Sequence, residues 1–110
     1  MTARKISASR PHDETVVEIL KAEPEFADTY LATALDEAEL PGGQFSLLAA
    51  LRHVSEAHGM AAVAQRAGIP RESLYRALSP KGNPTIKALL AVLGAAGLHL
   101  AVTRTDRAGA

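Results

Sequence analysis

The residues best placed to do chemistry lie close together, in RESLYRALSPKGN over residues 71–83. Read as a helix at about 100° per residue, Leu74, Ala77 and Leu78 share one side. Glu72, Tyr75, Arg76 and Ser79 fall opposite, Arg71 flanks the first turn, and Ser73 is grouped with them as a contact candidate. Such a ridge has the width to enter a DNA major groove. Arg71 and Arg76 carry the forked donors that grip guanine O6 and N7, Glu72 can accept from cytosine N4, and Tyr75 and Ser79 suit phosphate. Lys81, Gly82 and Asn83 stand where another helix is expected to start, and a lysine beside a positive helix end clamps phosphate. Plainer readings use the same residues: Glu72 and Arg76, four apart, can pair on a solvated face for about 0.3 kcal/mol, and 81–83 can be an ordinary capped loop. Lys87 and Arg52 are weaker candidates for contact with a DNA backbone.

A ridge of this kind needs a second helix braced behind it. Residues 60–79 read MAAVAQRAGIPRESLYRALS, which divides into helices over 60–67 and 70–78 around Gly68 and Ile69. Ala64 and Ala67 let the two backbones approach, Gly68 supplies the positive φ of the turn, and Val63, Ile69, Leu74 and Leu78 make the apolar plug. Upstream, Asp13 is expected to cap a short helix ETVVEILKA, and Pro24 to open a second whose stripe runs from Phe26 to Ala38. A third spans about 44–58, with Leu47, Leu48, Leu51 and Val54 inward and Gly59 as its stop. Downstream, Asn83-Pro84 reads as the cap of a helix TIKALLAVLGAA that Gly97 ends. LHLAVT then alternates with the period of a half-buried strand, set either against its copy across a two-fold axis or on the chain's own helices. The expected fold is all-α with this short C-terminal strand. It divides into a flexible basic arm (1–10), an acidic helical extension (11–43), a helix-turn-helix domain (44–103) and a flexible tail (104–110).

Composition narrows the function classes. The 110 residues are one domain's worth, 47% apolar, with no cysteine for disulfides or thiolate metal sites. No apolar run approaches the ~20 residues of a membrane span, so a cytoplasmic protein without membrane contact is expected. The net charge is zero but unevenly spread: residues 11–40 carry a balance of −8, with Lys21 against nine acids, whereas residues 50–110 carry +5. An acidic partner for one half and a basic partner for the other would account for this. His12, His53, His58 and His99 lack a metal-ligand pattern and read as solvated or structural. Asp36, Glu37 and Glu39 have no acid-base counterpart, and the serines sit on no nucleophile elbow. Neither an enzyme nor a cofactor is expected.

The stretches PEFADTYLATAL, LLAALRHVSEAHGM and RESLYRALSPKGNPTIKALLAVLGAAGLHLAV resemble the addiction-module antidote proteins, close to the HigA antitoxins, over most of residues 23–103. The resemblance implies a lambda-repressor-like (Cro/C1-type, Xre-like) helix-turn-helix. It implies binding of operator DNA as a homodimer that represses its own operon, and neutralisation of a RelE/ParE-superfamily toxin. The chain departs from many relatives at Ile69-Pro70, where they carry a capping Ser or Thr, so a hydroxyl that could cap the helix and touch phosphate is missing. Two rivals stand beside this expectation: a free-standing helix-turn-helix regulator without a toxin, and a protein-interaction module that has lost DNA binding.

Overall fold

The computed structural model describes residues 9–105, and these form six helices and no strand. In chain order they are α1 (Ser9–Ala22), α2 (Phe26–Asp36), α3 (Gly43–His58), α4 (Met60–Ala67), α5 (Arg71–Ala77) and α6 (Ile86–Ala95). Residues 1–8 of the expected basic arm and 106–110 of the tail lie outside the described residues, while Ser9 and Arg10 already belong to α1.

Each break has a local cause. Pro24 does not open α2 as its spacing suggested. It sits in a turn, with the Phe26 and Ala27 amides donating to the Glu23 and Pro24 carbonyls, and α2 starts at Phe26. At Gly43 a Cβ would lie 2.0 Å from the Glu37 carbonyl oxygen, so only glycine lets α3 leave so close to the end of α2. Gly68 (φ 71°) ends α4 in a left-handed turn, with the Ile69 amide donating to the Ala64 carbonyl at 3.1 Å. The same closure ends α6, where the Leu98 amide reaches the Leu93 carbonyl across Gly97. The α6 cap differs from expectation: Thr85, not Asn83, caps the helix, its Oγ1 accepting the Ala88 amide at 3.0 Å. Pro84 accordingly lies before the cap rather than inside the first turn.

One apolar core runs through the bundle. Leu20 of α1 and Leu31 and Ala34 of α2 join Leu51 and Val54 of α3, Val63 of α4, Leu74 of α5, Leu78 just beyond it and Val92 of α6. Helices α1 and α2 both pack on α3, so the acidic segment is built into the core. The strand expected in LHLAVT does not form within the chain: 98–103 have no regular structure, and Val102 is fully exposed. A lone strand leaves its backbone groups unpaired, and the bundle offers no sheet edge to receive them.

Candidate nucleic-acid interface

Helices α4 and α5 form the corner read from the sequence. Ala64 and Ala67 are buried at the crossing, Val63, Leu74 and Leu78 are sealed beneath it, and Ile69 packs partly against them. Pro70 occupies the N-cap position of α5 with φ −63° and ψ 151°, and no side chain caps the helix. The Leu74 amide instead donates to the Pro70 carbonyl at 3.1 Å. Proline supplies the backbone geometry here without the capping bond that a hydroxyl would add.

With Leu74 fixed inward, the opposite face of α5 is fixed outward. Arg71, Glu72, Tyr75 and Arg76 are exposed, and Ser73 is half-buried. The Arg71 guanidinium carbon stands 5.8 Å from the centre of the Tyr75 ring, an i, i+4 stack that holds both side chains along one edge. Glu72 and Arg76 form no ion pair; among the described residues Lys21 pairs with Glu18, and the buried His53 lies beside Asp13. Among the described residues, the cations of the ridge therefore have no carboxylate partner.

Beyond α5 the loop folds back toward the helix. Ser73, Arg76, Ser79, Lys81, Gly82 and Asn83 border one shallow depression of about 440 Å³, while Arg71, Glu72 and Tyr75 continue the edge outside it. Gly82 is there for closeness: a Cβ would sit 2.0 Å from the Ala77 carbonyl oxygen, and its own amide donates to the Ser79 carbonyl. The Ser79 hydroxyl donates to the Arg76 carbonyl at 2.8 Å, so its first bond is internal. Lys81 and Asn83 are exposed but precede the true cap of α6, so the expected coincidence of lysine and helix end is absent.

Two cations that composition marked as weaker candidates have structural posts. Arg52, on α3, donates from Nη1 to the Leu78 carbonyl at 2.6 Å, setting a positive charge at the negative end of α5. Lys87 lies over the turn, its Nζ 3.3 Å from where a Cβ on Gly68 would be.

A further site escaped the sequence reading. Asp13 is no helix cap, because α1 begins four residues earlier at Ser9. Its Oδ1 lies 2.7 Å from Nε2 of the buried His53, whose Nδ1 lies 2.6 Å from the Tyr30 hydroxyl. A neutral imidazole protonated on Nε2 satisfies both, donating to Asp13 and accepting from Tyr30. Burial raises the Tyr30 pKa above its ordinary 10.0; the Asp13 charge adds to this and Arg52 opposes it. The available signal was that His53 shares the inward face of α3 with Ala50, Leu51 and Val54. Among the described residues no group of three or more His, Asp and Glu is arranged to hold a metal ion, and no helix is long and apolar enough to cross a membrane.

Comparison with known proteins bears on the chain as a whole. The sequence model of the family described as "Probable addiction module antidote protein" matches residues 22–104, which takes in α2 to α6. A protein of Haemophilus influenzae, itself described as uncharacterized, is 37% identical over 93 residues, covering 84% of this chain and 91% of the relative. No solved structure matches the chain.

Proposed function

Since the chain belongs to the addiction module antidote family, we propose that it is an antitoxin that binds its own operator as a homodimer and neutralises a RelE/ParE-superfamily toxin. The observation that carries the DNA half is the outward edge of α5: Arg71, Tyr75 and Arg76 exposed, without carboxylate partners among the described residues, on a helix locked from behind by Leu74 and Leu78. In this reading Arg71 and Arg76 contact bases or phosphates, Glu72 reads cytosine, and Ser73, Tyr75, Ser79, Lys81, Gly82 and Asn83 meet the backbone. Dimerisation would cover apolar side chains that the single chain leaves in water, among them Ile86 (74% exposed) and Leu90, one turn apart on α6. Two half-sites about 34 Å apart are the matching operator geometry.

The toxin half rests on the family and on charge. A toxin that handles RNA is itself basic, and residues 11–40 offer it a balance of −8. Deleting this segment is a poor test, because Leu20, Leu31 and Ala34 belong to the common core. Reversing exposed charges such as Glu18, Glu25 and Asp28 leaves the core alone, and a toxin pull-down unchanged by all three would refute the assignment.

Fluorescence anisotropy with the DNA upstream of the gene tests the operator reading. Binding should exceed that to random DNA and fall about 10³-fold or more between 50 and 200 mM salt if six or more phosphates are neutralised. Equal affinity for random DNA would overturn it. Absence of binding to either DNA would overturn it too and would favour an interaction module, a reading supported by the uncapped start of α5. A short basic reading frame beside the gene separates an antitoxin from a free-standing regulator.

A further inference from the structure

We propose that the cleft between α1, α2 and α3 seats an arginine side chain of a basic protein partner. This rests on the antitoxin reading for the partner's existence and names the chemistry by which it is held. The cleft has a volume of about 750 Å³, and no residue of α5 lines it, although Pro80, between Ser79 and Lys81, stands at its border. Its aromatic wall is a run of near-parallel rings. Phe26 and Tyr30 stack at 5.6 Å and 11°, and Tyr30 and His53 at 6.0 Å and 10°. Phe45 stands at its border, 59% exposed.

Two carboxylates complete the lining. Asp13, whose side chain is 35% exposed, uses Oδ1 for His53, and Glu37 is exposed with no described ion pair. The exposed ring of Phe45 offers a face on which a guanidinium can stack, while the carboxylates accept its in-plane N–H donors. A phosphate would meet Asp13 and Glu37 as like charges, and the whole 11–40 segment adds to that repulsion. Charge therefore selects a cationic protein over nucleic acid for this face. Arg52 also lines the cleft, but its Nη1 is committed to the Leu78 carbonyl, so an entering cation takes the side of Asp13 and Glu37.

The test is an NMR titration of the full-length protein with blocked tripeptides centred on arginine, lysine or glutamine. The arginine peptide should bind about fivefold tighter than the glutamine peptide, with shifts gathered at Tyr30, Phe45 and Glu37. Glu37→Gln should weaken it about threefold, with unchanged thermal melting because Glu37 lies at the surface. Equal binding of the three peptides, or shifts centred elsewhere, would overturn the proposal. So would concentration-dependent shifts of the same residues without peptide, which would make a second copy the occupant. Operator binding and peptide preference measured together on the unsubstituted protein separate the two ideas. Retained DNA binding without arginine preference sinks only the cleft, while arginine preference without DNA binding sinks only the operator reading.

Discussion

The α4–α5 corner and the seam joining α1, α2 and α3 treat their polar side chains in opposite ways. At the seam, Tyr30, His53 and Asp13 answer one another in a chain of two hydrogen bonds, and the histidine between them is buried. At the corner, Arg71, Glu72, Tyr75 and Arg76 face water, and the closest partnership among them is a ring-to-guanidinium stack. Polar groups satisfied inside a protein hold its elements together. Those left outward contribute little to stability and remain available to a partner. The contrast marks the seam as architecture with a cleft beside it, and the corner as a presenting surface.

Substitutions break the comparison in a graded way. Leu74→Ala should have the largest effect, about 2–5 kcal/mol of lost stability, because it empties the fully buried plug under the ridge. Urea denaturation reads this, and a loss below about 1 kcal/mol would mean that α5 is not braced as described. Arg71→Ala and Arg76→Ala come next. Each should weaken operator binding by about 1–3 kcal/mol in a gel shift while stability moves by no more than about 0.5 kcal/mol. Unchanged gel shifts for both would leave the ridge without its role. Tyr30→Phe should cost about 1 kcal/mol through the lost hydrogen bond to His53, with DNA binding intact. It also sharpens the seam by pH. Because the folded-state pKa of Tyr30 is raised, its contribution is fully present below pH 10.0 and is lost as pH climbs through the higher folded value. The phenylalanine variant should therefore show a shallower loss of stability on the alkaline limb, and identical limbs would contradict the raised pKa.

Much of the corner was legible because short-range rules govern it. Ala64, Ala67 and Gly68 are the residue types that a close crossing and a left-handed turn require, and both features appear where the spacing puts them. The helical periodicity also separated Leu74 and Leu78 from Arg76 without knowledge of the rest of the chain. The misreadings occurred where local rules offered two good answers. Asn83 and Thr85 both cap helices well, and the bond from Ala88 to the Thr85 hydroxyl decides between them. Asp13 has a capping side chain, but its partner is His53, forty residues away, and such a pairing leaves no local trace. The alternation in LHLAVT specifies two faces, yet a strand also needs a neighbour, and within one chain 98–103 have none. The seam was missed for the same reason: Tyr30, His53 and Asp13 belong to three helices and meet only through packing.

Gly82 has a consequence for how the presenting surface can vary. The depth of the depression beside Arg76 is set by a missing atom, since any side chain at 82 would collide with the Ala77 carbonyl and lift the loop away. Its neighbours Lys81 and Asn83 are exposed and unconstrained in this way. Charge along this border is therefore adjustable at 81 and 83 while the distance from α5 to the loop stays constant. The molecule separates what it displays from how far apart it displays it.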